Sequence, residues 1–73
     1  MDAIDFELRG EYIELDKLLK ATGLAESGGH ARMMITEGLV RVDGEPESRK
    51  TAKMRAGQRV EAQGTVITLR PAP

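Results

Sequence analysis

Apolar and acidic residues alternate near the beginning of the chain, over residues 4–8. Side chains two positions apart point to the same face of a β-strand. Ile4, Phe6 and Leu8 therefore predict a short strand with one apolar face. The Arg-Gly-Glu sequence at residues 9–11 predicts a turn directly after this strand.

The spacing of apolar residues changes after residue 14 to the three-and-four pattern of an amphipathic helix. Leu15, Leu18 and Leu19 form such a stripe, which predicts a short helix over residues 15–21. Gly23 follows, and glycine favours the left-handed backbone conformation that commonly ends a helix.

A second helix is predicted to begin after Ser27, because serine is a favourable N-cap residue, and to end at Gly38. Residues three and four apart form its buried face: Ala31, Met34 and Ile35. Gly28 and Gly29 fall in its first turn, although glycine destabilises helices. They indicate either a close approach of another group to the backbone or a loosely built helix start.

Two β-hairpins are predicted for the rest of the chain. Residues 39–42 alternate as a strand in which the valines face the core and Arg41 points away from it. Asp43-Gly44 is a strong hairpin turn signal, and Pro46 limits how far the returning strand can pair.

Residues 48–58 are predicted to be irregular, and a second hairpin is predicted over residues 59–69 around Gln63-Gly64. We therefore predict one α+β domain over residues 1–73, with two short helices packed on a small, mainly antiparallel sheet.

Composition excludes several classes of protein. The absence of cysteine removes disulfides and thiolate zinc sites, and a single histidine leaves few ligands for other metals, so we expect no metal and no cofactor. No secretory signal pattern or membrane-length apolar run is visible. We expect a cytoplasmic, monomeric protein that is not an enzyme, since no nucleophile lies beside a base.

The net charge of −1 hides a strong segregation along the chain. Residues 1–26 hold seven acidic and three basic side chains, whereas residues 27–73 hold five acidic and eight basic ones. Residues 49–59 hold five basic side chains and no acidic one. Because local potential steers a charged ligand, a polyanion site is compatible with the near-neutral total. The alternative is a solvated loop that only maintains solubility.

Three motifs occur in order: Leu-Asp at 15–16, Gly-Leu-x-x-Ser at 23–27, and Gly-x-Val-x-Val-Asp-Gly at 38–44. Together they resemble the RNA-binding domain of the ribosomal protein S-four type, the alpha-L motif, with a motif core over residues 13–60. The Glu-Ser-Gly run at 26–28 and the Ser-Arg-Lys-x-x-Lys run at 48–53 are similar to small stand-alone bacterial proteins of the YbcJ-like kind. The resemblance implies binding to RNA.

Two positions depart from the broad family, which usually has arginine where this chain has Glu14 and Gly28. Two common phosphate contacts are therefore missing, and the later basic segment is the expected replacement. A protein-interaction module that has lost RNA binding is the alternative function. A DNA-binding helix-turn-helix is a third possibility, but its recognition helix would offer few base-reading side chains.

The candidate site combines the start of the second helix with nearby cations. Ser27, Gly28 and Gly29 could present a hydroxyl and free N–H groups to a phosphate, and His30 is either a ligand or a surface residue. Six basic residues are predicted to converge on one face and to contact phosphate and sugar: Arg32, Arg41, Arg49, Lys50, Lys53 and Arg55.

The low aromatic content affects the predicted mode of recognition. Phe6 is expected in the core, and Tyr12 either in the core or on the surface. Stacking on unpaired bases therefore has little support. Recognition of structured RNA by shape, such as ribosomal or transfer RNA, fits better.

Overall fold

A computed structural model of the chain describes residues 2–73; Met1, which the predicted domain includes, lies outside the described residues. Two helices and seven strands occur in this part of the chain, in the order β1 (Asp2–Glu7), β2 (Ile13–Glu14), α1 (Leu15–Ala21), α2 (Gly28–Thr36), β3 (Val40–Val42), β4 (Glu45–Pro46), β5 (Lys53–Met54), β6 (Arg59–Ala62) and β7 (Thr65–Arg70). The predicted α+β class and both helices are confirmed.

Five of the strands form one sheet in the order β1-β7-β6-β3-β4. Every pairing is antiparallel except β1 with β7, which run parallel with Ile4 opposite Ile67. The first and last strands of the described chain thus lie side by side. The predicted second hairpin is β6–β7, with Gln63 and Gly64 between its strands.

A separate two-stranded ribbon pairs β2 with β5, placing Ile13 opposite Met54 and Glu14 opposite Lys53. The prediction that residues 48–58 are wholly irregular is therefore wrong at Lys53 and Met54. Two residues are too few to show a strand period in the sequence, and their partners lie about 40 positions earlier in the chain.

The core lies between the helices and one face of the five-stranded sheet. The leucine stripe of α1 and the predicted buried face of α2 are fully or nearly fully buried. They pack in one cluster with side chains from the sheet, including Val40, Val60, Ile67 and Leu69. Burial of each large aliphatic side chain contributes roughly 1.5–3 kcal/mol, so this cluster is what attaches the helices to the sheet.

The opposite face of the sheet, here called the outer face, carries Arg41, Arg59, Glu61 and Arg70. These residues alternate with the buried positions of their strands, so their side chains point away from the helices. Neither helix in the described part of the chain has the length and apolar character needed to span a membrane.

Candidate functional site

Ser27 caps α2 as predicted, and its Oγ accepts a hydrogen bond from the backbone N–H of His30 at 3.1 Å. The ring of His30 is half-buried, and its Nδ1 accepts from the backbone N–H of Glu26 at 3.1 Å. These two bonds hold the first turn together. Within residues 2–73, no acceptor is present for the N–H groups of Gly28 and Gly29, which are among the first donors of the helix.

Asp16 links the two helices through its carboxylate. Its side chain is only 9% exposed; Oδ1 accepts from the backbone N–H of Lys17 at 2.9 Å, and Oδ2 accepts from Nη1 of Arg32 at 3.4 Å. A Cβ added at Gly28 would lie 3.2 Å from that Nη1. Glycine at this position therefore leaves space for the Arg32 guanidinium beside the first turn of α2.

The basic segment after β4 is attached to the beginning of α1. The N–H of Leu15 donates to the carbonyl of Ala52 at 2.9 Å, and the N–H of Asp16 donates to the carbonyl of Lys50 at 3.1 Å. The N-cap residue, Glu14, provides no side-chain acceptor for the first N–H groups of α1. The two carbonyls satisfy these donors instead. The backbone of Lys50 is thereby placed directly beside the Asp16–Arg32 pair.

Two lysines that are not among the predicted site residues also belong to this region. Lys17 and Lys20 are exposed on α1 and line a cleft of about 200 Å³ with Asp16, Gly28 and Arg32. The sequence signal for these two lysines was their spacing of three residues at positions outside the leucine stripe. Lys17 also contacts Glu14 at 2.8 Å, and this hydrogen bond raises the pKa of Lys17 above its ordinary value.

The β2–β5 ribbon presents an aromatic ring between cations. Tyr12, directly before β2, is 43% exposed, and its ring centroid lies 4.8 Å from Nζ of Lys53 and 5.6 Å from Cζ of Arg55. Both distances are within cation–π range. The sequence left the environment of Tyr12 open, because its basic neighbours are about 40 residues away.

Arg49 and Arg41 are placed differently from the other predicted cations. The guanidinium of Arg49 donates to both carboxylate oxygens of Glu47, with Nε–Oε2 and Nη2–Oε1 distances of 3.1 Å. These bonds lower the pKa of Glu47 and raise that of Arg49. Arg41 is on the outer face of the sheet, opposite Glu61, and donates to the carbonyl of Gly44 at 3.2 Å. The six predicted cations therefore do not all meet on one face.

We call the cations along α1, beside the first turn of α2 and in the segment attached to the start of α1 the basic surface; it consists of Lys17, Lys20, Arg32, Lys50, Lys53 and Arg55. Four of them, Lys20, Lys50, Lys53 and Arg55, make no ion pair with any residue in the described part of the chain. Glu14 and Asp16 offset the other two. The surface therefore carries a positive local potential, which attracts anions. No cluster of three acidic or histidine side chains in residues 2–73 could hold a metal ion.

Two helices packed on a mainly antiparallel sheet, with cations along the first helix and beside the start of the second, define a domain of the alpha-L type. The S4 domain family matches residues 6–70, so this chain belongs to the S4 domain family. The match includes both helices, strands β2 to β7 and the last two residues of β1.

Two of the similar proteins are from bacteria. A protein of Escherichia coli (strain K12) named "Putative RNA-binding protein YbcJ" is 49% identical over 53 residues, which are 73% of this chain and 76% of that protein. The "Probable ribosome maturation protein RlbA" of Bacillus subtilis (strain 168) is 37% identical over 54 residues, or 74% and 76% of the two chains. The solution structure of YbcJ from E. coli, described as having an alpha-L motif involved in RNA binding, superposes with a TM-score of 0.72 at 39% identity. That superposition covers 96% of this chain and 90% of the other.

Proposed function

We propose that this chain binds structured RNA through the basic surface. The observation that carries the proposal is a set of four cations without ion-pair partners in residues 2–73: Lys20 in the last turn of α1, and Lys50, Lys53 and Arg55 in the segment attached to the start of α1. The names of the E. coli and B. subtilis relatives, which refer to RNA binding and ribosome maturation, support it.

Phosphate is the chemical group that this surface suits best. Lys20 and Lys50 act as point charges, and their neutralisation of phosphates releases counterions from the RNA. Arg32 is oriented by Asp16 through one nitrogen, which leaves the other guanidinium N–H groups for a phosphate. The unbonded N–H groups of Gly28 and Gly29 add donors at the positive end of α2. Such contacts set the position of the protein on RNA and read its shape.

The other predicted site residues have secondary roles in this proposal. Ser27 and His30 hold the first turn of α2 and so keep the glycine N–H groups in place. Arg49 is already engaged by Glu47, and Arg41 contacts RNA only if the RNA also reaches the outer face. Ribosomal or transfer RNA is the class of structured RNA that we propose first.

We also propose that the protein acts as a cytoplasmic monomer without catalytic activity. Edge strand β1 carries Asp2, Asp5 and Glu7, whose like charges oppose pairing with a second copy of the same edge. At the other edge, β4 has only two residues, and one is Pro46. The single histidine is used as a hydrogen-bond acceptor inside the α2 cap.

Fluorescence anisotropy with a labelled RNA hairpin tests the function. We expect the affinity of the unchanged protein to fall steeply as salt rises. The double variant Lys50→Gln/Lys53→Gln should lower affinity at least tenfold and reduce the slope of log affinity against log salt by about 2, or about 1 for each lost phosphate contact.

The matched control is Arg41→Gln/Arg59→Gln, which removes the same charge from the outer face. It should keep most of the affinity and the salt slope. Equal losses in the two double variants would show that net charge, and not the basic surface, is responsible. If the unchanged protein binds no RNA but retains a protein partner after nuclease treatment, the protein-interaction alternative replaces RNA binding.

A further inference from the structure

A groove of about 510 Å³ lies beside the basic surface and is not used by the phosphate contacts proposed above. Phe6, Tyr12, Ile13 and Ala21 contribute apolar surface to it. Its size is within the range of about 300–1,000 Å³ that is usual for sites of small organic groups. The groove is therefore large enough to receive a planar heterocycle.

Tyr12 connects this groove with the cations of β5 and the residue after it. Its ring lines the groove and also lies within 6 Å of the cationic groups of Lys53 and Arg55. Nearly half of the side chain is exposed, so part of the ring is open to a ligand. An exposed aromatic ring beside two cations is the combination that binds an unpaired nucleotide, with the base on the ring and the phosphate on the cations.

The charges around the groove orient such a ligand. Asp5, Glu7 and Arg9 line the groove along the end of β1 and the turn after it, whereas Lys53 and Arg55 lie at Tyr12. Asp5 is paired with Arg70 at 3.4 Å, but Glu7 makes no ion pair with any residue from 2 to 73. Arg9 offsets the charge of Glu7 on the β1 side, whereas Lys53 and Arg55 have no ion-pair partner in residues 2–73. A phosphate is therefore attracted to the Tyr12 end, which leaves the uncharged base to enter the groove.

We propose that the groove at Tyr12 receives one unpaired base of the bound RNA while the phosphates next to that base contact Lys53 and Arg55. This inference rests on the proposed function, and it adds recognition of a bulged or terminal nucleotide to the shape-based contacts. It also reverses the sequence-based expectation that base stacking has little support, because the one exposed aromatic ring lies at the edge of the basic surface.

Two RNA hairpins that differ only in one unpaired nucleotide in the stem provide the test. The hairpin with the unpaired nucleotide should bind the unchanged protein more tightly than the fully paired hairpin. Tyr12→Ala should remove this preference, with a loss of about 5- to 100-fold for the bulged hairpin, in line with alanine substitution of stacking residues. Tyr12→Phe retains the ring and should retain the preference. Circular dichroism should show that both variants are folded.

A second readout uses the fact that Tyr12 is the only tyrosine of the chain. Its ring proton NMR signals should shift upfield when the bulged hairpin is added and should stay in place with the paired hairpin. If both hairpins bind with the usual salt dependence, but equally and without effect of Tyr12→Ala, the groove proposal is overturned while RNA binding stands. If the ring signals respond only to an apolar peptide, the groove is a protein site and the proposal is wrong. Absence of salt-dependent binding to either hairpin would overturn both proposals.

Discussion

The guanidinium of Arg32 lies beside the first turn of its own helix, with Nη1 3.4 Å from Oδ2 of Asp16 on the neighbouring helix. The Asp16 carboxylate is almost fully buried, while the Arg32 side chain remains about half exposed. The buried Asp16 carboxylate thus depends on Arg32 to replace its contacts with water, whereas Arg32 keeps hydrogen-bond donors available to solvent. The pair joins α1 to α2 and orients a cation of the basic surface.

Removal of Arg32 should destabilise the fold. Arg32→Met leaves the buried Asp16 carboxylate without its charged partner, so we expect the free energy of unfolding to fall by about 1–3 kcal/mol. We expect the lower end of this energy range because the Arg32 guanidinium is half exposed and solvent weakens an exposed ion pair. Urea denaturation of the variant measures this change. Adding Asp16→Asn to Arg32→Met should recover part of the loss, and strictly additive effects of the two substitutions would contradict the coupling.

Alanine at Gly28 should move the Arg32 guanidinium without unfolding the protein. The added Cβ would meet Nη1 at 3.2 Å, a tight contact that the flexible end of Arg32 relieves by a small shift. Side-chain ¹⁵N NMR should show a changed Arg32 signal. Gly29→Ala is the matched control, because its Cβ would meet only Oγ of Ser27 at 3.9 Å. The same Arg32 shift in both variants would show that the change comes from the helix backbone.

The charge of Glu14 should limit the affinity for RNA. Its carboxylate holds Lys17 at 2.8 Å, so Glu14→Gln should free that lysine, raise the affinity and increase the salt slope by up to about 1. Lys20→Gln should act in the opposite direction, since Lys20 makes no ion pair with a described residue. Both effects can be measured by anisotropy titration at several salt concentrations. Glu61→Gln removes the same charge from the outer face and should leave binding unchanged; an equal gain from it would exclude a local effect.

Glu47 should titrate below the ordinary carboxyl pKa of 4.5, because it accepts hydrogen bonds from the side chain and backbone of Arg49. A carboxyl whose pKa is lowered by folding adds stability above pH 4.5, and this stability is lost as the pH falls through the folded-state pKa. Carboxyl NMR signals followed during an acid titration measure the midpoint. Arg49→Gln should return it toward 4.5, and an unchanged midpoint would show that Arg49 is not the cause.

The local elements of this protein are readable from short stretches of sequence. The leucine stripe predicted α1 over residues 15–21, and Ser27 predicted the start of α2, because helix periodicity and capping depend on residues only a few positions apart. The turn at Asp43-Gly44 is equally local: both residues adopt left-handed backbone angles, with φ of 50° and 84°. The ordered motifs also indicated the family that the S4 domain match shows.

The composition of the candidate site depends on pairings that no short stretch contains. Asp16 meets Arg32, and the β2–β5 ribbon brings Tyr12 to Lys53. Amino-acid order thus established the two helices, the two hairpins and an excess of cations in the second part of the chain. Packing of the helices on the sheet decided which cations share a surface, because side chains distant in sequence are placed together only when the apolar faces of their elements are buried against one another.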